Sequence, residues 1–306
     1  MTKVFIDGSA GTTGLRIRER LANREDITLV ILPEELRKDP DARKAALNDA
    51  DIVFLCLPDA ASIEAVAMIE NPNTAVIDTS TAHRTASGWT YGFPELAGKR
   101  EEIASSKRIA NPGCHASGFI ALVAPLVKAG ILEKDVALSC FSLTGYSGGG
   151  KKMIAEYEGQ ERNTLLDAPR QYGLTQQHKH LKEMVALCDL KTAPAFCPIV
   201  SDFYSGMEVT VPVFKKDLKG TVDDIKAVYK RCYEKGLVRY SEESEEGFLS
   251  AGALSGKDSM QVSVHGNEER ILLVARYDNL GKGASGAAIQ NMNILLGADE
   301  AAGLEI

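Results

Sequence analysis

The sequence predicts an α/β protein: a Rossmann-like doubly wound parallel sheet joined to an α+β domain with a mostly antiparallel sheet. Three observations predict it. Short, continuously apolar runs alternate with helical stretches through the first 110 residues, the pattern of strands buried on both faces. The first run breaks into a glycine turn, Gly8-Ser9-Ala10-Gly11-Thr12-Thr13-Gly14, that opens a helix. Beyond residue 114 the texture changes to longer segments with period-two alternation and hairpin chemistry.

Lys3-Val4-Phe5-Ile6-Asp7 is the first strand, and Gly14, Ile17 and Leu21 then recur at helical spacing. Residues 27–32, 51–57, 75–78 and 108–110 supply four more strands, with a helical stretch at 60–69. Another helix begins near Cys114. Residues 136–143, 207–214, 260–265 and 270–277 read as strands, the last two joined by a Gly266-Asn267 turn. Helices over 151–160, 176–188 and 221–235 cover this second sheet. The expected domains are a dinucleotide-binding domain over 1–114, an α+β domain over 115–280, and a C-terminal helix within 281–306 returning to the first. Trp89 and Tyr91 read as local packing in a loop, and the acidic run 242–246 as a solvated loop.

With 306 residues, 44% hydrophobic and 25% charged, the chain suits a globular protein of about two domains. A net charge of −7 and the lack of a long basic run exclude the electrostatic footprint of a nucleic-acid binder. Six cysteines (Cys56, Cys114, Cys140, Cys188, Cys197 and Cys232) form no CxxC pair, so neither a disulfide scaffold nor a structural zinc site is expected. No apolar run is long enough for a bilayer, and the first strand starts too early for a signal peptide. The expected setting is a reducing cytoplasm.

Chemistry concentrates at Asn111-Pro112-Gly113-Cys114, which places a cysteine where a helix begins; unpaired amides and the macrodipole there stabilise a thiolate. The Gly8/Gly11/Gly14 turn departs from G-x-G-x-x-G spacing but still brings helix amides to a pyrophosphate. Glu34 lies where an acid binds ribose hydroxyls, while Arg37, Lys38 and Arg43 could hold a 2′-phosphate; the residues leave both options open. Cys56-Leu57-Pro58, Ser80 and Arg84 follow strands at the carboxyl edge of the sheet, where ligands bind in this architecture. In 176–188, Leu181, Met184, Val185 and Cys188 mark a buried helix face. If the helix includes both His178 and His180, about 200° of rotation separates them, and His180 shares its side with Glu183. Histidines two residues apart, with no third ligand, do not suggest a metal site. Glycine loops at 144–151 and 278–286 each precede a helix and carry a lysine and small hydroxyl residues, a composition suited to phosphate or nicotinamide groups.

These blocks, together with Tyr91-Gly92-Phe93-Pro94-Glu95-Leu96, Ser147-Gly148-Gly149-Gly150, His178-Lys179-His180 and Gln290-Asn291-Met292-Asn293, resemble the N-acetyl-gamma-glutamyl-phosphate reductases in their shorter, second form, in order and over nearly the whole chain. The resemblance implies a cytoplasmic, homo-oligomeric (dimeric or tetrameric) NADP enzyme of arginine biosynthesis, related in fold to aspartate-semialdehyde dehydrogenase. Its substrate would be a small acyl phosphate, with no nucleic acid, membrane or metal involved. It implies Cys114 as nucleophile and His180 or His178 as acid–base group, through a Cys114 thioester reduced by NADPH. Implied cofactor contacts are Gly8, Ser9, Ala10, Gly11, Thr12, Thr13, Gly14, Arg37, Lys38, Cys56, Leu57, Pro58, Ser80, Gly281, Lys282 and Gly283. Implied substrate contacts are Arg84, Asn111, Ser147, Gly148 and Glu183, with Lys282 also a candidate for phosphate. Two residues depart from the family pattern. His115 stands where tyrosine is expected, which makes it a rival proton donor, and Lys182 replaces a proline before Glu183. The rival readings are a dehydrogenase using the same thioester logic on another acyl phosphate, and a dinucleotide-sensing regulator with a dead site.

Overall fold

The computed structural model describes residues 1–306. In chain order the first elements are β1 (Thr2–Asp7), α1 (Thr12–Leu21), β2 (Ile27–Val30), α2 (Pro40–Asp49), β3 (Ile52–Leu55), α3 (Asp59–Ala67), β4 (Ala75–Asp78), β5 (Thr90–Tyr91), α4 (Lys99–Ser105) and β6 (Arg108–Ala110). There follow α5 (Cys114–Lys128), β7 (Ser139–Gly145), α6 (Gly150–Glu158), β8 (Arg170–Gln171), α7 (His180–Cys188), β9 (Ala195–Ser201) and β10 (Met207–Phe214). The last are α8 (Val222–Cys232), β11 (Val238–Tyr240), β12 (Met260–Gly266), β13 (Arg270–Tyr277) and α9 (Gly286–Leu296).

The chain divides into two compact units, one of Met1–Pro94, Gly98–Pro112 and Ala284–Leu304, the other of Glu95–Ala97, Gly113–Gly283 and Glu305–Ile306. This division differs from a cut after residue 114. Gly113 and Cys114 belong to the second unit, residues 95–97 join it, and so does the Gly281-Lys282-Gly283 turn.

In the first unit six parallel strands run in the order β2-β1-β3-β4-β6-β5. Because side chains alternate along a strand, Val4, Ile6, Ile52, Phe54, Ile77 and Ile109 face one layer with Ile17 of α1, Ile103 of α4 and Met292 of α9. Phe5, Val53, Leu55 and Val76 face the other, against Leu47 of α2 and Ala65 of α3. Both faces are therefore covered, as continuous apolar strands require, and each fully buried Leu, Ile or Phe side chain contributes roughly 1.5–3 kcal/mol. The order reverses around β1, so its carboxyl end is a switch point where such sheets open a crevice.

The second unit holds a seven-stranded sheet, β11-β12-β13-β10-β7-β9-β8. Four of its six pairings are antiparallel; β11 with β12 and β7 with β9 run parallel. Strands β10 and β13 have the bounds the alternation predicts. Met207, Val209, Val211 and Val213 are buried, while Phe214, with Phe141 and Leu272, is exposed on the opposite face. Strand β9 escapes sequence reading because Pro198 interrupts its pattern, and β5, β8 and β11 are too short to show a period. Thr90–Tyr91, read as loop, forms the outer strand of the first unit's six-stranded sheet.

Helix α7 starts at His180 rather than at residue 176. Gln176 is held with φ +56°, and its amide side chain bonds both backbone groups of Phe196, at 2.7 and 2.8 Å. A residue in that left-handed conformation cannot start a helix. No helix is long and apolar enough to cross a membrane.

Candidate active site

At the end of β1 the chain turns at Gly8, whose φ of +87° brings it against the Cys56 carbonyl. A side chain there would meet both the unfavourable φ and that backbone. The Gly11 amide donates to Gly8 O (3.0 Å), and α1 begins at Thr12 with Gly14 buried beneath the turn. Beside it lies a cavity of about 320 Å³, lined by Gly8, Ser9, Ala10 and Leu57 and by apolar residues of β1 and β2, with Arg18, Arg37, Lys38 and Arg43 at its rim.

The four cations differ in what already holds them. Asp7, 5% exposed, takes Arg43 through Nη2 (2.9 Å) and Nε (3.2 Å). Arg37 Nε is buried with no hydrogen-bond partner, which fits an anionic group entering the pocket. Glu34 is exposed and does not line the cavity. The residues present therefore fit a dinucleotide with a phosphate on its adenosine ribose better than one with bare hydroxyls. Sequence reasoning missed Arg18, although it lies one helical turn after Gly14.

Other residues expected at this edge serve the framework. Ser80 donates Oγ to Asp78 (2.7 Å), which also accepts from Ser62 Oγ (3.1 Å) and pairs with His83 Nδ1 (2.6 Å). His83 stacks on Trp89 at 4.0 Å. Pro58 precedes α3 as its N-cap, and burial pushes the Cys56 thiol up to about 12, leaving it neutral. Arg84 donates to the carbonyls of Asn111 (3.0 Å) and Thr79 (3.1 Å). The Asn111 side chain bonds Ala284 O and Asn291, so its amide is committed within the first unit.

In the second unit Cys114 is the first residue of α5, partly exposed and outside any disulfide. No acidic residue occupies the first turn of that helix. Tyr277, fully buried, donates its hydroxyl to the Cys114 carbonyl (2.6 Å) and accepts from Gly118 N (3.0 Å), fixing the turn. A Cβ on Gly283 would come within 3.0 Å of the Asp278 carbonyl oxygen and 3.1 Å of Cys114 Cβ, so a larger residue would push its neighbours at the cysteine by a few tenths of an ångström. Glu183, 1% exposed, accepts from Gly113 N (3.1 Å), and its other oxygen lies 4.0 Å from His180 Nε2.

Because α7 begins at His180, the two histidines are not on opposite borders of one helix. Their rings stand edge-on at 4.7 Å, and each also contacts the His115 ring, at 5.7 and 5.6 Å. His178 Nδ1 accepts the His180 amide (3.2 Å), so it caps the helix and a neutral His178 carries its proton on Nε2. His115 is 3% exposed, and burial first, then His178, pushes it down to about 3. A group that stays neutral near pH 7 brings an N–H to its neighbours rather than the charge of an imidazolium. Sequence reasoning overlooked two of its neighbours far along the chain, Ser142 on β7 and Tyr172 just after β8.

Lys282 is not a phosphate ligand on a mobile glycine loop. It is 1% exposed, with Nζ 2.8 and 2.9 Å from the two oxygens of Glu95, in the π-helical turn Gly281–Ser285. Ser147, 1% exposed, accepts from Asn279 Nδ2 (3.0 Å), and Gly148 beside it is exposed. No group of three or more His, Cys, Asp or Glu residues could hold a metal ion.

A cavity beside a glycine turn in one unit, and a cysteine at a helix start with paired histidines in the other, are features of the thiol-type dehydrogenases, and the profiles of known families give that class. Residues 32–106 match "Semialdehyde dehydrogenase, NAD binding domain" and residues 114–279 match "Semialdehyde dehydrogenase, dimerisation domain". The chain belongs to the N-acetyl-gamma-glutamyl-phosphate reductase family. It is 43% identical to N-acetyl-gamma-glutamyl-phosphate reductase 2 of Nostoc sp., over 99% of both chains. It is 46% identical to the Brucella ovis N-acetyl-gamma-glutamyl-phosphate reductase, over 96% of this chain and 99% of that one. Among solved structures, aspartate semialdehyde dehydrogenase II of Vibrio cholerae has the same fold: TM-score 0.73 at 18% identity, covering 97% and 98% of the two chains. The Francisella tularensis aspartate semialdehyde dehydrogenase matches with TM-score 0.70 at 15% identity, covering 97% and 100%.

Proposed function

We propose that the protein reduces N-acetyl-gamma-glutamyl phosphate to N-acetylglutamate semialdehyde with NADPH, through a thioester on Cys114, in the arginine pathway. The observation that carries this reading is Cys114 at the start of α5, with His180 and Glu183 packed beside that turn.

The Cys114 thiolate attacks the acyl carbon; the carbon–oxygen bond to phosphate breaks, and phosphate leaves with the electron pair. His180 takes the thiol proton before attack, since the Nδ1 of His178 is engaged with a backbone amide. Glu183 orients His180 and stabilises it when protonated. NADPH, when bound, supplies the hydride that reduces the thioester carbonyl. The carbon–sulfur bond then breaks, the aldehyde leaves, and Cys114 returns as thiolate. Gly8 to Gly14, Arg37 and Lys38 would hold the dinucleotide. The enzyme works in the cytoplasm as a homo-oligomer, a dimer or tetramer; the dimerisation-domain match and the exposed Phe141, Phe214 and Leu272 support self-association.

The test is NADPH oxidation on adding N-acetylglutamyl phosphate, and in reverse NADP reduction with N-acetylglutamate semialdehyde only when phosphate or arsenate is present. A Cys114→Ala variant should lose activity by about 10⁴-fold or more. Faster turnover of aspartate semialdehyde than of the acetylated substrate would overturn the assignment.

A further inference from the structure

His115 lies fully enclosed beside the nucleophile, with both ring nitrogens bonded to hydroxyls: Nδ1 to Ser142 Oγ at 2.7 Å and Nε2 to Tyr172 OH at 2.6 Å. A neutral imidazole has one N–H and one lone pair, so only one hydroxyl donates to it. Ser142 decides which. It is 0% exposed on β7, and its side chain has no hydrogen-bond partner other than His115. A buried hydroxyl whose proton reaches no acceptor is costly, so Ser142 donates to Nδ1. The ring proton is then on Nε2 and donates to the Tyr172 oxygen. Tyr172 must direct its own O–H elsewhere.

Tyr172 is half-buried, its amide donates to Pro198 O (3.0 Å), and its ring meets the His178 ring edge-on at 6.1 Å. Its hydroxyl on His115, the residue after Cys114, and its ring on His178 set it in the histidine cluster that follows the nucleophile; burial, and after it a charged Cys114, push the phenol up, so it keeps its proton near neutral pH. The reaction proposed above places negative charge on the acyl oxygen when sulfur attacks, and such charge requires a preorganised donor.

We propose that Tyr172 is a catalytic hydrogen-bond donor to the acyl oxygen at Cys114, and that His115 is a positioning residue that acts through Tyr172 because Ser142 fixes it as the Nε2–H tautomer. This rests on the thioester reading for its chemistry; the tautomer stands without it.

Two measurements test it. Long-range proton–nitrogen NMR of the wild-type enzyme should show His115 protonated on Nε2, whether or not any substrate turns over; a proton on Nδ1 overturns the proposal. In the assay, Tyr172→Phe should lower kcat by about 100-fold with KM within about threefold, the loss expected for one oxyanion donor. His115→Phe should lower kcat by roughly 10-fold, and the double variant should be no worse than Tyr172→Phe, because one residue acts through the other. His115→Gln, whose amide N–H can still reach Tyr172, should recover part of the loss, whereas a role in packing alone predicts equal losses for Gln and Phe. Wild-type kcat in Tyr172→Phe, or multiplied losses in the double variant, overturns the proposal. Tyr172→Phe carries the test if the His115 variants do not fold. A wild-type enzyme inactive on the acyl phosphate would defeat the functional reading instead.

Discussion

Cys114 shows how far a single residue can be read. Its neighbours in the chain place it at a helix start, and the structure has it as the first residue of α5. What it works with comes from residues distant in sequence: Glu183 on the Gly113 amide, and two histidine rings brought together because α7 starts late. Three expectations belong at this scale. His180→Asn should lower kcat by roughly 10²- to 10⁴-fold, the usual span for a lost acid–base group. His178→Asn should cost less; stopped-flow measurement of thioester formation would separate the two. Arg37→Gln should raise KM for NADPH by roughly 10- to 100-fold while leaving kcat nearly unchanged, since a charged hydrogen bond contributes about 1.5–3 kcal/mol. Steady-state kinetics with NADPH and NADH as alternative donors would check it, the two KM values converging in the variant.

Elements show a different balance. Strong periods such as those of β10 and β13 were legible from the chain, because each buries one face and alternation is forced on it. The start of α7 was not legible, since the deciding contact joins Gln176 to Phe196 in another strand. The turn Gly281–Ser285 has the composition of a flexible phosphate loop, yet Lys282 is enclosed with Glu95, which also accepts from the Leu237 amide (3.3 Å). Lys282→Met leaves a buried carboxylate without its cation and should destabilise the protein by about 3–5 kcal/mol. The paired change Glu95→Gln with Lys282→Met should cost less than the single one, as read by urea denaturation of both variants.

At the scale of the whole molecule, acid stability follows from His115. Its folded value of about 3 lies below the ordinary 6.5, so the unfolded chain binds a proton in that interval and the native state does not. This contribution to stability is fully present above about pH 6.5 and is lost as pH falls toward 3, by up to a few kcal/mol. His115→Phe should flatten that part of a denaturation series measured from pH 7 to pH 4, whatever its effect on activity. By itself the sequence determined the two-part α/β architecture, the glycine turn after β1 and the place of Cys114 at a helix start, because strand period, glycine turns and helix starts are local properties written in adjacent residues. The tertiary structure alone decided which cations line the nucleotide cavity, that Lys282 is an internal ion-pair partner, and how His115, Ser142 and Tyr172 share their protons. Those outcomes depend on burial and on distances between residues far apart in the chain, and neither exists until the sheets have packed.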